Sequence, residues 1–212
     1  MSYSAYGTLR TGAGALAAYS LPPNSILCEV RSMFGSTNAE KTNAIDLLKK
    51  DHDEVEAMFA QYEDIKDGDN DTDKEMLVAQ ICDALTVHAQ IEESVFYPAA
   101  RRALDADEGK DLLDEAAVEH QTLKDLIARL ESAPTDDPLY DAGVKVLSEY
   151  VKHHVKEEEN ELFPKVKSSS MDVEAIGQQL ADRKATLTER TSRQGRKSAN
   201  GQRRGAQQPS DD

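Results

Sequence analysis

Two short stretches of this sequence combine histidine and glutamate at a spacing that could bind a metal ion. His88 precedes Glu92 by four residues, and His154 precedes Glu158 by the same interval. Residues at this spacing lie on one face of an α-helix, one turn apart, so each pair could reach a common metal. Imidazole with carboxylate is a nitrogen and oxygen ligand set that suits iron, manganese or zinc, and the pattern contains no thiolate.

Both pairs belong to an internal repeat of the sequence. Residues 51–55 match residues 119–123, and residues 88–98 match residues 154–164. Each repeat contributes a further histidine upstream of its His-x3-Glu pair, so four of the five histidines in the chain occupy equivalent positions. The repeat predicts a ligand set of four histidines and two glutamates: His52, His88, Glu92, His120, His154 and Glu158.

Each part of this pattern also has a simpler interpretation. A single histidine on an apolar stripe is more often a core residue than a ligand, and His-x3-Glu is often a surface ion pair. The repeat favours ligands, because buried histidines and glutamates without partners would cost several kcal/mol. Six protein ligands would saturate one octahedral ion, whereas two bridging carboxylates leave two ions with open positions. We therefore predict two metal ions.

Four amphipathic segments must position these residues. Apolar side chains recur at helical spacing over residues 43–65, 72–104, 110–131 and 138–166, and Gly and Pro residues interrupt the pattern between them. Short links between long helices favour antiparallel neighbours. The sequence predicts an all-α fold, an antiparallel up-down-up-down four-helix bundle over residues 42–167.

The two ends of the chain differ from the bundle in composition. Residues 1–41 are rich in Gly, Ser, Ala and Tyr and are predicted to be an unstructured extension, and Met33 offers an alternative translation start. Residues 168–212 are predicted to form a short helix, 173–187, followed by a disordered basic tail.

Charge and composition limit the possible partners. The formal net charge of −15 argues against nucleic acid as a partner of the whole chain, although residues 183–210 hold eight Lys and Arg against one acid. This tail could contact nucleic acid, anionic lipid or an acidic protein. We expect no membrane span, because no apolar window approaches the ~18 residues that a span requires. Two cysteines, expected as free thiols, indicate a cytoplasmic protein.

The motifs resemble those of the hemerythrin-like, HHE cation-binding family over about residues 42–166. The resemblance includes Phe-x-Pro or Phe-Pro after each His-x3-Glu pair. It implies a hemerythrin-like four-helix bundle with two non-haem irons, oxo- or hydroxo-bridged. It also implies that the four histidines are terminal ligands and that Glu92 and Glu158 are bridges. Oxygen-carrying members have a further histidine where this chain has Lys124, and His-x4-Asp on the last helix, so stable O2 carriage is not expected.

Three functions follow from this resemblance. The first is binding of O2, NO or peroxide in oxygen or iron sensing or in a stress response. The second is an enzyme that decomposes peroxide or NO, and the third is a metal store without turnover. The open coordination positions favour reactivity over storage.

Neighbouring residues leave two alternatives open. His153 is expected to be exposed, although a register in which His153 and Glu157 replace His154 and Glu158 is conceivable. Glu56 follows His52 by four residues and could supply an extra oxygen ligand or a hydrogen-bond acceptor.

Five further residues are expected to have structural or solvent-exposed roles. Glu93 and Glu159 are expected in solvent, and Cys82 is expected in the core. Tyr62 and Tyr97 are expected to pack in the core, with the alternative that a phenol lies near the metals and tunes them.

Overall fold

The computed structural model of the protein describes residues 42–68, 70–104 and 108–205. All regular secondary structure in these ranges is helical. The elements are α1 (Ala44–Ile65), α2 (Asp71–Ile91), the π-helical turn π1 (Glu92–Phe96), α3 (Tyr97–Ala103), α4 (Glu108–Ser132), α5 (Tyr140–Glu157), the π-helical turn π2 (Glu158–Leu162), α6 (Phe163–Ser168) and α7 (Val173–Gly205).

Four long helical segments of the described chain form a closed bundle. The elements α2, π1 and α3 make one continuous segment, and α5, π2 and α6 make another. Helix α1 packs against α2 and α5, while α4 packs against the same two helices. The predicted all-α four-helix bundle is confirmed. We call α1, α2, π1 and α3 the first half, and α4, α5, π2 and α6 the second half.

Side-chain caps fix where the helices of the first half begin. The Asn43 side-chain oxygen accepts hydrogen bonds from the backbone N–H groups of Ile45, at 2.9 Å, and Asp46, at 3.4 Å. The Asn70 side chain accepts one from the Asp73 N–H at 3.4 Å. Asparagine at this position satisfies N–H groups that have no partner within the helix. The caps therefore stabilise the first turns of α1 and α2, the helices that contribute His52 and His88.

Each of the two interrupted helices contains a π-helical turn where the sequence predicted a regular helix. In π1 the Tyr97 N–H donates to the carbonyl of Glu92, and in π2 the Phe163 N–H donates to the carbonyl of Glu158. Both turns therefore begin at a glutamate of the predicted ligand set. Such one-turn π-bulges often occur at functional sites.

A proline immediately after each turn gives a physical reason for the wider geometry. Pro98 and Pro164 lie in the first turn of α3 and α6. In a regular helix the proline ring clashes with the carbonyl four residues earlier, and a local widening relieves that clash. The additional residue also lets the adjacent side chains of Phe96 and Tyr97 both point into the bundle, where both are buried.

The bundle core consists of two apolar clusters with a polar layer between them. The Phe59 cluster includes Val55, Phe59, Tyr62, Ile81, Leu85, Leu123, Ile127, Leu147 and Val151. The Phe96 cluster includes Ile45, Leu48, Ile91, Phe96, Leu113, Leu162, Phe163 and Leu180. Along every long helix the predicted ligands fall between the two, so the polar layer is closed by apolar side chains on both sides.

Helix α7 covers one side of the first half. It packs against α1, α2 and π1, and it buries Leu180 and Leu187 in the Phe96 cluster. Gly177 allows the approach, because a Cβ atom there would lie 1.8 Å from the Thr42 carbonyl oxygen. This close packing belongs to long-range tertiary structure, which the sequence pattern did not reveal.

The helix also continues past Leu187, where the sequence predicted that it would end, and reaches Gly205. The polar composition led to that prediction, but exposed helices can persist through local side-chain pairs. Glu189 and Arg193 form such a pair across one turn at 2.5 Å. Residues 1–41, including Cys28, and residues 206–212 lie outside the described ranges.

None of the helices described is long and apolar enough to cross a membrane.

Candidate metal centre

All six predicted ligands meet in the polar layer of the bundle. The four long segments each contribute one histidine, and the two glutamates come from the first positions of π1 and π2. Every one of these side chains is buried, and Glu92 is not exposed at all. The sequence-predicted set is therefore brought together in space: His52, His88, Glu92, His120, His154 and Glu158.

The histidines form two pairs. In the first half His52 Nε2 and His88 Nε2 lie 3.2 Å apart. In the second half His120 Nε2 and His154 Nε2 lie 3.1 Å apart. Each pair lies close to a carboxylate, with ligand atoms within 4.8 Å of one another, and Glu92 belongs to both groups. Either group could hold a metal ion.

Both buried glutamates connect the two pairs. Glu92 Oε2 lies 3.2 Å from His88 Nε2 and 3.4 Å from His120 Nε2. Glu158 Oε2 lies 3.3 Å from His52 Nε2 and 3.8 Å from His154 Nε2. Each carboxylate thus reaches one histidine of each half. This is the arrangement expected of carboxylates that bridge two neighbouring cations.

An acidic side chain faces the outer nitrogen of each histidine. The Nδ1 contacts are His52 to Glu159 at 2.9 Å, His88 to Asp51 at 3.5 Å, His120 to Glu93 at 3.0 Å and His154 to Glu119 at 2.6 Å. A carboxylate hydrogen-bonded to Nδ1 keeps the ring proton on that nitrogen, so the Nε2 lone pair points inward. Three of the imidazoles are held ready for a cation in this way, whereas His88 Nδ1 and Asp51 Oδ2 face each other without forming a hydrogen bond.

Glu93 is exposed, as expected, whereas Glu159 is only partly exposed, and both carboxylates contact a histidine of the predicted set. Besides its histidine, Glu93 accepts a hydrogen bond from Lys124 at 2.6 Å, and Glu159 accepts one from Lys49 at 2.6 Å. Their place directly after the ligand glutamates explains this, because the π turn directs them toward the neighbouring helix. The repeat contained the signal, since both copies have an acid at this position.

The same signal identifies Asp51 and Glu119, which directly precede His52 and His120 in the two repeats. Both are buried. Burial alone would raise the pKa of Asp51, but His88 and Lys184 outweigh it and lower that pKa. The hydrogen bond from His154 lowers the pKa of Glu119. Both acids are therefore carboxylates at neutral pH.

Tyr97 packs in the Phe96 cluster, as expected, and its hydroxyl also lies among the candidate ligands, whereas Tyr62 packs in the Phe59 cluster away from them. The Tyr97 hydroxyl donates to Glu158 Oε1 at 2.8 Å and lies 3.2 Å from His120 Nε2. Burial and the adjacent Glu158 raise the pKa of Tyr97 well above its ordinary value, so the phenol keeps its proton. The Tyr62 hydroxyl donates to Asp141 at 2.6 Å, at the far end of the Phe59 cluster.

Other predicted neighbours lie outside the centre. Glu56 is exposed. The side chain of His153 is 59% exposed, as expected, and lies 3.2 Å from Glu157, so these two residues do not replace His154 and Glu158 in the polar layer. Cys82 is buried in the Phe59 cluster, also as expected.

The charges of the two central carboxylates suit bound cations. Glu92 Oε1, Glu92 Oε2 and Glu158 Oε2 are buried and have no hydrogen-bond partner in the described part of the chain. Burial and the adjacent Glu158 raise the pKa of Glu92 well above its ordinary value. Burial would also raise the pKa of Glu158, but His154 and His52 bring it to about 2. Buried carboxylates this close together need positive charge between them, and metal ions would supply it.

A small cavity adjoins the four histidines on the side of the Phe59 cluster. Its volume is about 20 Å³, and apolar side chains line it beside the imidazoles, including Val55, Leu85, Leu123 and Val151. A cavity of this size holds about one water-sized molecule. The centre can therefore admit a diatomic molecule or a similarly small species.

Comparison with known proteins agrees with this geometry. The family model described as the hemerythrin HHE cation binding domain matches residues 43–166, the same range that builds the bundle. The chain belongs to the hemerythrin HHE cation-binding family.

Relatives of this HHE protein are about a quarter identical to it over the aligned part of the chain. A DNA nickase of Nostoc is 27% identical over 63% of this chain and 36% of its own length. An uncharacterized hemerythrin-like protein of Schizosaccharomyces pombe is 24% identical over 64% of each chain. An uncharacterized protein of Mycobacterium tuberculosis is 26% identical over 66% of this chain and 84% of its own length. The chain thus spans about a third and just under two thirds of the first two relatives.

A solved structure shows the same fold. The crystal structure of a hemerythrin HHE cation binding domain-containing protein from Mycobacterium kansasii superposes with a TM-score of 0.58 at 22% identity. The match covers 68% of this HHE protein and 86% of the other chain.

Proposed function

We propose that this HHE protein binds two non-haem iron ions and that the iron pair binds O2 or a related small oxidant or diatomic such as NO or peroxide. His52 and His88 would hold one ion, and His120 and His154 the other. Glu92 and Glu158 would bridge them. One observation carries the proposal. In each half two histidine Nε2 atoms lie about 3 Å apart, and the same two buried carboxylates lie between the halves.

The ligand set supports an open, reactive pair of metal ions over a structural site. Two imidazoles and two shared carboxylates per ion make a mixed nitrogen and oxygen environment without thiolate. Four protein ligands leave an ion that accepts six, such as iron, with free positions. Structural zinc sites are instead closed and tetrahedral, most often with nitrogen and sulfur ligands. The donor set thus fits iron and does not fit a closed structural zinc site.

The chain provides the surroundings that such a reaction needs. Bound iron would supply Lewis acidity and electrons to a small ligand. The cavity of about 20 Å³ excludes larger molecules, and its apolar wall limits the entry of water. Tyr97 holds a proton 2.8 Å from Glu158 and at the edge of the second histidine pair. This hydrogen bond orients the Glu158 carboxylate, one of the two proposed bridges.

Peroxide or NO decomposition is the second candidate. The observation that favours it is the buried Tyr97 hydroxyl, which lies 3.2 Å from His120 Nε2 and donates to Glu158, where it would tune the iron pair. A metal store without turnover is the third candidate. Storage alone would require neither the cavity nor the phenol.

We place this chemistry in the cytoplasm. Cys82 is a free, buried thiol, and burial raises its pKa to about 12, so it is unreactive and compatible with a reducing compartment. We propose that the partner of the centre is a small ligand and that the protein does not bind a membrane. Any contact with nucleic acid would involve the basic end of α7. The relative named as a DNA nickase adds little support, because it is matched over only 36% of its length.

Anaerobic purification followed by iron counting and visible spectroscopy tests the proposal. We expect about two irons per chain and a charge-transfer band of an oxo-bridged pair after exposure to air. A reversible spectrum on removing O2 would support binding, whereas peroxide consumption with repeated turnover would support the enzyme. A colourless protein with zinc alone would contradict both.

A further inference from the structure

The two halves treat equivalent acids differently. In the first half, Asp51 Oδ2 lies 3.5 Å from His88 Nδ1, and its other oxygen forms a very short contact with Lys184 of α7. In the second half, Glu119 Oε2 accepts a hydrogen bond from His154 Nδ1 at 2.6 Å. The Lys184 ammonium thus neutralises the carboxylate of Asp51. The equivalent carboxylate in the second half is that of Glu119.

The second oxygen of Glu119 faces a histidine and another acid. Glu119 Oε1 lies 3.6 Å from His153 Nε2, and His153 Nε2 lies 3.2 Å from Glu157 Oε1. The three side chains offer ligand atoms within 4.8 Å of one another. His153 and Glu157 also have the His-x3-Glu spacing of the inner ligand pairs, displaced by one residue around α5. This group is separate from the six predicted iron ligands.

Only the second repeat has these residue types. The equivalent positions of His153 and Glu157 in the first repeat are Val87 and Ile91, which are buried in the Phe96 cluster. Helix α7 packs over the first half, whereas the His153 side chain is 59% exposed and that of Glu157 is 28% exposed. A cation from solvent can therefore approach Glu119, whereas Asp51 is already paired with Lys184.

The local charge favours a cation. Carboxylate oxygens of Glu119 and Glu157 lie 3.6 Å and 3.2 Å from the same ring nitrogen of His153, so two acidic side chains converge on one point of the surface. A divalent cation would relieve the repulsion between them.

We propose that Glu119, His153 and Glu157 form an outer binding site for a first-row divalent transition-metal cation on the solvent face of the second half. The cation takes the role that the Lys184 ammonium has at Asp51 and holds the carboxylate that orients the His154 ring. One imidazole and two carboxylates suit Mn²⁺, Fe²⁺ or Zn²⁺, and water completes the coordination. The exposure of His153 makes this ion readily exchangeable.

Titration of the full chain with Mn²⁺ alone tests the site. Free Mn²⁺ is followed by electron paramagnetic resonance after the protein has been loaded with iron and freed of loose metal. We expect wild type to bind one more Mn²⁺ per chain than His153→Ala or Glu157→Gln, in which this ion binds at least about tenfold more weakly. Iron content and helical circular dichroism should be unchanged in both variants, because neither residue belongs to the inner set.

Glu161→Gln is the matched control, since it removes one exposed negative charge from the adjacent turn and should keep the additional ion. Equal Mn²⁺ binding by wild type and His153→Ala would overturn the proposal, as would loss of the ion in Glu161→Gln. The result is independent of the proposed iron function. If the inner ligands took up Mn²⁺ instead of iron, they would do so in wild type and variants alike, and the difference of one ion would remain.

Discussion

The two halves of the bundle present the same ligands to the centre but surround them differently. Beside the first pair, Phe163 stacks on the His52 ring with centroids 6.0 Å apart. At the equivalent place beside the second pair, Tyr97 brings a hydroxyl to 3.2 Å from His120 Nε2. Helix α7 covers one side of the first half and brings Lys184 to Asp51, whereas His153 of the second half is exposed to solvent.

This comparison separates what the repeat determines from what it leaves free. The repeat determines the ligand types and the acid at every Nδ1, so both ions would have similar inner ligands. The differences lie around the ligands and their acids: the Tyr97 phenol, the Lys184 ammonium and the exposure of His153 to solvent. We therefore expect two chemically distinct irons, with the hydrogen-bond donor beside the ion of the second half.

The largest expected effect removes both ions at once. Glu92→Gln keeps the shape of the side chain but deletes the negative charge that both histidine pairs share. We expect the iron content to fall from about two per chain to less than one, since bound cations would lose a bridging charge. Elemental analysis measures this, with the exposed Glu56→Gln as the control. Retention of both irons would show that Glu92 is not a bridge.

A smaller effect should separate the halves. His154→Ala removes one ligand from the second pair, so the iron content should fall to about one per chain, retained by the first half. His153→Ala, one residue away, should keep both irons. Iron analysis with visible spectroscopy would measure the contrast. If His153→Ala were the damaging change, the assignment of the ligands on α5 would be wrong.

Tyr97→Phe should make the halves more alike without loss of iron. The hydroxyl donates to a charged carboxylate, a hydrogen bond of about 1.5–3 kcal/mol, so reaction with peroxide or O2 should change by about tenfold or more. Mössbauer spectra should show two iron environments in wild type that converge in the variant. Phe163→Tyr is the reciprocal variant, which should alter the other iron. Unchanged spectra and rates in Tyr97→Phe would exclude a role for the phenol.

The smallest expected effect comes from Lys184→Met. The Lys184 side chain is about one third exposed, so its contact with Asp51 contributes about 1 kcal/mol or less to stability. Loss of the contact should loosen His88 and speed iron release to a chelator a few-fold, from the first half alone. Arg190→Met, which removes an exposed charge from the same helix, is the control. Equal release from both halves would argue that α7 acts only by covering the bundle.

The sequence predicted the bundle and the convergence of the six residues because both depend on local periodicity. Helical spacing puts His88 and Glu92 on one face, and the repeat extends this to the second half. Whether the six bind metal remains a prediction. The acids at Nδ1 were missed because their partners lie on other helices, although their positions repeat. The course of α7 was missed because its contacts, such as Gly177 against Thr42, are long-range.

The π turns have a consequence for the ancestry of the chain. A π turn amounts to one residue inserted into a helix, and both repeats have it at the same place, beginning at Glu92 and at Glu158. Two independent insertions at equivalent positions are less economical than one. The shared position is what a single insertion before the duplication of an ancestral helix pair would leave, with the glutamate, the π turn and the proline already in place. Two copies of such a pair, side by side, would have built a symmetric centre. Tyr97 and His153 are then later differences between the copies, while Lys184 belongs to α7, outside both copies.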